Sequence, residues 1–215
     1  MPPIVSIIGM SKSGKTTLIE ALVRELKSRG WRVGTIKHTP QGATPDEPGK
    51  DSWRHLQAGS EVTAINAPDR VVVIKPAAPA LNLEATARLL GEDCDIILAE
   101  GFKQEGAPKV EVHRREVGPP LSAVRKLVAI VTDEPLATKT RQFPLQDIKG
   151  LADFLENGFI KPHQERIAFY VNNVPVPLSS FPREVITSVL LALASSLRGV
   201  GEISGLDISL RRPGS

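Results

Sequence analysis

Residues Gly9 to Thr16 constrain the fold of this chain more than any other segment. They read Gly9-Met-Ser-Lys-Ser-Gly14-Lys15-Thr16 and fit the P-loop pattern G-x-x-x-x-G-K-[ST] without a mismatch. The apolar run at 3–8 predicts a buried parallel strand before the pattern, and apolar residues at helical spacing predict a helix at 13–29 after it. Strand, glycine loop and helix in this order are the context in which the pattern binds phosphate. The sequence therefore predicts a nucleoside triphosphate site.

Each residue type of this loop has a chemical reason. Glycines let backbone N–H groups curl around a polyphosphate, and the start of the helix adds positive potential. Lys15 is expected to reach the β- and γ-phosphates, and the Thr16 hydroxyl to bind magnesium (Mg²⁺). The remaining residues predicted to bind the nucleotide from this segment are Gly9, Ser11, Lys12, Ser13, Gly14 and Thr17.

Strand and helix patterns alternate through the first two thirds of the chain. This alternation predicts an α/β fold of the P-loop NTPase type, with a mainly parallel sheet and helices on both faces. Residues 61–66 and 70–75 are separated by too few residues for a crossover helix, so they predict an antiparallel hairpin inside the sheet. The other predicted strands are 32–37, 94–100, 109–113 and 127–132, and the other predicted helices are 52–58, 83–90 and 148–156.

The pattern changes near residue 161. We expect a nucleotide-binding domain at 1–160 and a small β-β-α-β unit at 165–215, with strands at 166–171, 174–178 and 206–211. One helix follows Ser180, and so small a unit has little core of its own. It is expected to pack on the main domain or on a second copy of the chain. The wide apolar face of its helix comprises Val185, Ile186, Val189, Leu190, Leu193 and Leu197.

A P-loop needs an acidic partner for Mg²⁺ on a neighbouring strand. The strand at 94–100 offers Asp95 and Glu100, which are about 16 Å apart in an extended chain. Ligands bind at the carboxyl ends of parallel strands, so Glu100 is the predicted metal and catalytic residue. Asp95 is expected to be a solvated residue at the start of the strand.

Two further aspartates have both a structural and a functional interpretation. Asp51 follows an irregular loop at 39–49, which is expected to be mobile and to close over nucleotide. Either Asp51 or Ser52 caps the next helix, or Asp51 is a Mg²⁺ or water-ordering residue; the pattern alone does not decide. Asp133, after the strand at 127–132, is either an acceptor for guanine N–H groups or a turn residue.

Composition argues against several classes of partner. The net charge of +3 is spread along the chain and aromatic residues make up 4%, so nucleic acid is not expected as the main ligand. No apolar run approaches the ~18 residues of a membrane span. The single cysteine, Cys94, and a first strand directly after Met1-Pro2 favour a cytoplasmic protein without a signal peptide.

Several segments together resemble the family of molybdopterin-guanine dinucleotide biosynthesis protein B (MobB). They are Gly9–Thr16, Lys37-His38, the run from Pro48 to Gly59, the run from Asp95 to Lys103, and Pro108-Lys-Val-Glu-Val. The resemblance implies a GTP-binding, often dimeric protein that hydrolyses GTP slowly and assists the guanylyltransferase that attaches GMP to molybdopterin. It also implies that Asp51 and Glu100 lie at the magnesium side of the phosphates. The chain departs from the family at Thr39–Gly42, where a His-rich segment is common, and in the unit after residue 161.

Two other functions use the same residues. A small-molecule kinase would share the P-loop and Mg²⁺, with Arg114, Arg115 and Arg125 as candidates for a lid. A non-catalytic scaffold would hold nucleotide as a structural ligand and dock through its C-terminal unit. Hydrolysis of GTP with and without an acceptor distinguishes the three functions.

Overall fold

The computed structural model describes residues 1–39, 47–77, 81–164, 166–172 and 174–209. The strands are β1 (Ile4–Gly9), β2 (Val33–Lys37), β3 (Thr63–Ala67), β4 (Arg70–Ile74), β5 (Ile96–Glu100), β6 (Lys109–Val112), β7 (Leu127–Thr132), β8 (Arg141–Pro144), β9 (Tyr170–Val171) and β10 (Val174–Pro175). The helices are α1 (Lys15–Ser28), α2 (Asp51–Gln57), α3 (Leu83–Arg88), α4 (Ile148–Leu155) and α5 (Ser180–Ser195). A π-helical turn, Glu156–Ile160, and a 3₁₀ turn, Lys161–His163, follow α4.

A six-stranded sheet in the order β2-β5-β1-β6-β7-β8 forms the centre of the fold. All of its strand pairs are parallel. Because β1 lies between β5 and β6, Ile7 is level with Glu100, and Gly9 with Val112. The carboxyl ends of the three central strands therefore meet at one edge of the sheet, where the P-loop begins.

Apolar side chains cover both faces of this sheet. On one face, Leu22 and Leu26 of α1 and Leu151 and Leu155 of α4 are fully buried against strand residues such as Leu98. On the other face, Leu83 and Ala87 of α3 pack with residues that include Ile36, Ile97 and Ala99. Each fully buried aliphatic side chain contributes about 1.5–3 kcal/mol before entropy is subtracted. The predicted α/β class, parallel sheet and helices on both faces are confirmed.

The antiparallel hairpin of β3 and β4 also forms, but its predicted place in the sheet is wrong. Among the residues that the structure describes, the two strands pair only with each other, as a separate two-stranded sheet. The outermost strand next to β7, on the side away from β6, is β8, which we did not predict. In β8 only Phe143 is buried. A four-residue strand with one buried apolar side chain carries almost no periodic signal.

The described chain divides into two compact units, Met1–Gln164 and Glu165–Ser215. In the second unit, β9 and β10 form an antiparallel pair of two residues each, and α5 follows. The strand predicted at 206–211 is wrong for residues 206–209, which are irregular, and 210–211 lie outside the described residues. A strand needs a hydrogen-bonded partner, and in the described part of this unit β9 and β10 pair only with each other.

The predicted apolar face of α5 is largely exposed. Val185, Val189 and Leu193 have 44%, 52% and 60% of their surface exposed, and Leu197, two residues after the end of α5, has 62%. In α5 Ala194 is buried. The helix therefore forms as the pattern predicted, with most of its large apolar side chains in contact with solvent.

Candidate nucleotide-binding site

The P-loop connects β1 to α1 through backbone conformations that few residues adopt. Gly9 has φ 151° and Gly14 has φ 95°. A Cβ atom on Gly9 would collide with the carbonyl oxygen of Val112 and lie 2.6 Å from Ser13 Oγ. Gly14 is left-handed at the N-cap of α1, so the helix begins at Lys15, two residues later than predicted. Both glycines are therefore required by the shape of the loop.

Lys15 folds back over the loop. Its Nζ donates to the carbonyl oxygen of Met10 at 2.7 Å and lies 3.4 Å from that of Gly9. Burial lowers the pKa of Lys15, with Glu100 acting in the opposite direction and the cations Lys103 and Lys37 lowering it further. The ammonium group lies in a site that is rich in positive charge, so an anion there would stabilise its charged form.

Thr16 and Glu100 meet at the same edge. The Thr16 hydroxyl oxygen lies 3.2 and 3.1 Å from the two carboxylate oxygens of Glu100, to which it donates. The Glu100 side chain is 16% exposed, and Lys37 Nζ is 3.9 Å from it. A hydroxyl and a carboxylate are hard oxygen ligands, the kind that Mg²⁺ binds beside a nucleotide. The residues present therefore fit a Mg²⁺ ion, although no cluster of three or more His, Cys, Asp or Glu side chains suited to a metal occurs among the described residues.

Asp95 lies at the opposite edge of the sheet. It directly precedes β5, whereas Glu100 is the last residue of that strand. Its carboxylate accepts from the backbone N–H of Arg32 at 2.8 Å and from the guanidinium of Arg32 at 3.2 Å. With 21% of its side chain exposed, Asp95 is a strand-linking residue rather than the freely solvated one we expected.

Asp51 is not brought to this site by any contact of the described chain. It is the first residue of α2, its side chain is 89% exposed, and it pairs with Arg54 at 3.7 Å. Lys50 occupies the N-cap, so the interpretation of Asp51 or Ser52 as the cap is wrong. Residues 40–46 of the preceding loop, predicted to be mobile, lie outside the described residues. The role of Asp51 stays a prediction.

The other predicted residues lie at the P-loop edge. Ser13 is buried, whereas Ser11, Lys12 and Thr17 are exposed. Asp133 is exposed directly after β7, and its Oδ1 accepts from the backbone N–H of Arg115 at 2.9 Å.

The sequence did not single out His113, and it proposed Arg114 only for a kinase lid and not for the phosphate site. His113 is 3% exposed, and its Nε2 donates to the carbonyl oxygen of Gly118 at 3.0 Å. Its Nδ1 lies 2.9 Å from the hydroxyl of Thr132. The next residue, Arg114, donates from Nε to the carbonyl oxygen of Ser13 at 3.1 Å. The available signal was position, since both residues follow a strand at the ligand edge.

The arginines considered for a kinase lid do not lie together. Arg114 and Arg115 follow β6 at the P-loop edge, whereas Arg125 precedes β7, at the amino end of a parallel strand. The chain crosses from one edge of the sheet to the other between them. The three side chains therefore cannot form one lid in this arrangement.

A parallel sheet whose central strand leads into a glycine loop, with a helix N-terminus, Lys15, Thr16 and Glu100 around it, defines a P-loop nucleotide-binding protein. Residues 4–133 match the family described as molybdopterin guanine dinucleotide synthesis protein B (MobB). The chain belongs to the MobB family.

Relatives and solved structures agree with this family. The molybdopterin-guanine dinucleotide biosynthesis adapter protein of Haemophilus influenzae is 38% identical over 166 residues, which are 76% of this chain and 93% of that protein. The adapter protein of Escherichia coli is 35% identical over 161 residues, 72% of this chain and 92% of that protein.

The crystal structure of a MobB homolog from Bacillus stearothermophilus is similar, with a TM-score of 0.55 and 28% identity over 72% of this chain and 96% of that one. Bacillus subtilis MobB has a TM-score of 0.57 and 26% identity over 73% of this chain and 98% of that one. Within the described residues, no helix has the length and apolarity to span a membrane.

Proposed function

We propose that this chain is a cytoplasmic GTP-binding accessory protein of molybdopterin guanine dinucleotide synthesis, and that it hydrolyses GTP slowly. The observation that carries the proposal is the meeting of Thr16 and Glu100 beside a complete P-loop. Relatives that match most of this chain are named as adapter proteins of that biosynthesis.

The proposed work of each residue follows from its place. Backbone N–H groups of the loop and the N-terminus of α1 hold the phosphates. Lys15 leaves its carbonyl partners and donates to phosphate oxygens, which are stronger acceptors because they are charged. Thr16 and Glu100 would hold Mg²⁺, and the ion would neutralise negative charge on the phosphates. Asp51, the first residue of α2, is proposed to be brought to the phosphates by the preceding loop at 39–49 and to order the attacking water or the metal.

Guanine recognition is assigned to Asp133. This residue lies at the same edge of the sheet as the P-loop, two strands away from β1. Its carboxylate is an acceptor group, and guanine offers two neighbouring N–H donors. The backbone N–H of Arg115 already positions one carboxylate oxygen of Asp133.

The proposed protein partner is the guanylyltransferase that joins GMP to molybdopterin, and the proposed assembly is a homodimer. The second unit, Glu165–Ser215, is proposed as the assembly module, since α5 exposes large apolar side chains that a partner would cover.

Calorimetry with GTP and ATP, each with and without Mg²⁺, tests this proposal. We expect Mg²⁺-dependent binding of GTP, slow release of phosphate under single-turnover conditions, and no faster turnover with small-molecule acceptors. Sedimentation with a molybdopterin guanylyltransferase should show a complex. Rapid transfer of phosphate to an acceptor would instead establish a kinase, and binding without any hydrolysis would establish a scaffold.

A further inference from the structure

Arg114 lies directly against the P-loop. Its Nε donates to the carbonyl oxygen of Ser13 at 3.1 Å, although the two residues are 101 positions apart in the sequence. Its guanidinium fills the space beside Gly14, where an added Cβ atom would lie 3.4 Å from both Nε and Nη2. The absence of a side chain on Gly14 therefore provides the room in which Arg114 is seated.

The position of Arg114 is held by its neighbour. His113 is 3% exposed and bonded on both ring nitrogens, to Thr132 and to Gly118. A buried and doubly bonded residue leaves the strand end little freedom, so the next side chain starts from a fixed backbone. The Arg114 side chain is thus already positioned beside the P-loop before a ligand binds.

The charge of Arg114 lies where positive potential is already high. It lies at the N-terminus of α1, where the helix dipole repels cations, and Lys15 adds a second positive charge there. Its hydrogen bond to the carbonyl oxygen of Ser13 engages a neutral acceptor, which does not compensate the charge. The same arrangement becomes favourable when a polyanion occupies the loop.

We propose that Arg114 is a second cation of the phosphate site, which acts on the polyphosphate from the Ser13–Gly14 side of the loop. The inference rests on the proposed function, because it requires the loop to bind nucleotide. The ligand class is a nucleoside di- or triphosphate, and the attraction grows with the number of phosphate charges. Loss of Arg114 should therefore weaken the binding of GTP more than the binding of GMP.

The experiment compares Arg114→Gln and Arg114→Lys with the matched control Arg125→Gln in the full chain. Arg125 is exposed and precedes β7, at the edge opposite the P-loop. Calorimetry measures the Kd of GTP, GMP and inorganic tripolyphosphate at low and high salt. We expect Arg114→Gln to weaken GTP and tripolyphosphate about tenfold, and GMP less. Arg114→Lys should retain most of the affinity, and Arg125→Gln should stay within about twofold of the parent.

Three outcomes contradict the inference in different ways. If Arg114→Gln and Arg125→Gln bind GTP and tripolyphosphate with equal affinity, the charge of Arg114 does not act on the ligand. An equal loss for GMP and GTP, together with a lower Tm of the nucleotide-free protein, means that Arg114 is only a brace for Ser13. A parent protein that binds neither GTP nor tripolyphosphate contradicts the proposed function, and this inference with it.

Discussion

The hydroxyl of Thr16 and the carboxylate of Glu100 lie 3.1 Å apart, although 84 positions separate them in the sequence. Parallel pairing of β1 with β5 causes this meeting, because it sets Ile7 level with Glu100. The P-loop then carries Thr16 back over the same edge. The donor pair for a metal thus depends on one strand pairing and one glycine loop.

Glu100→Gln should raise the Mg²⁺ concentration that GTP binding requires by about tenfold or more. The amide still accepts a hydrogen bond from Thr16 but carries no charge. Asp95→Asn is the matched control, because it removes the same charge at the other end of β5. Titration of Mg²⁺ at fixed GTP measures both. An effect confined to Asp95→Asn would place the metal at the amino end of β5 and refute the assignment of Glu100.

Lys15→Ala should weaken GTP binding by about 10- to 100-fold and leave the Tm of the nucleotide-free protein nearly unchanged. The side chain is bonded only to loop carbonyls in the described structure, so its loss removes little packing. Lys27→Ala, in the last turn of the same helix, is the control. If GTP raised the Tm of Lys15→Ala as much as that of the parent, the loop would not be the phosphate site.

GTP should bind more tightly than ATP, and Asp133→Asn should reduce this preference. The asparagine offers one carbonyl acceptor where the carboxylate offers two oxygens, and a guanine N–H group left unpaired in the complex costs about 1–3 kcal/mol. Asp69→Asn, in the exposed β3–β4 turn, is the control. Competition between the two nucleotides provides the measurement. Equal affinities in the parent would end the guanine assignment.

Glu156→Gln should destabilise the first unit by about 1–2 kcal/mol at neutral pH. Its carboxylate accepts from Arg29 at 3.0 Å and pairs with Lys161, also at 3.0 Å. Arg29, and then Lys161, hold the pKa of Glu156 below its usual value. The stabilisation is therefore fully present above the ordinary carboxyl pKa of about 4.3 and is lost as the pH falls through the folded value.

Urea unfolding of the parent and Glu156→Gln at several pH values measures this effect. The difference between the two proteins should shrink as the solution becomes acidic. Glu20→Gln is the control, because its pair with Arg24 is exposed on both sides and should contribute less than about 1 kcal/mol. A difference that persists unchanged at low pH would show that packing rather than charge is responsible.

A chain that ends at Lys161 should bind GTP with unchanged affinity, since every predicted nucleotide residue lies in the first unit. Sedimentation of the same chain tests the proposed assembly module. Loss of dimer with retained binding supports that role. A truncated chain that stays dimeric would contradict it, and a truncated chain that cannot bind GTP would make the second unit part of the site.

The local elements could be predicted because their signals are local. Gly14 is needed where the chain turns left-handed, and leucines at helical spacing define α1 from its own residues. Glu100 could be chosen over Asp95 because the direction of a parallel strand already separates its two ends. The bounds of most elements differ from prediction by one or two residues, which is usual where ends are short of hydrogen bonds.

Other predictions failed where the outcome depends on distant parts of the chain. The β3–β4 hairpin forms from residues that are close in the sequence. Whether it joins the central sheet depends on which strands are outermost in that sheet, and β8 is one of them. The strand predicted at 206–211 alternates correctly, yet residues 206–209 have no strand to pair with among the described residues.

The sequence by itself determined the P-loop, the α/β class and the strand end that carries Glu100, because residues within one turn or one strand specify them. Tertiary structure alone decided the strand order, the contact of Thr16 with Glu100 and the seat of Arg114 on Ser13. Those contacts join residues 84 and 101 positions apart. Their geometry follows from how separate elements pack, which no local spacing encodes.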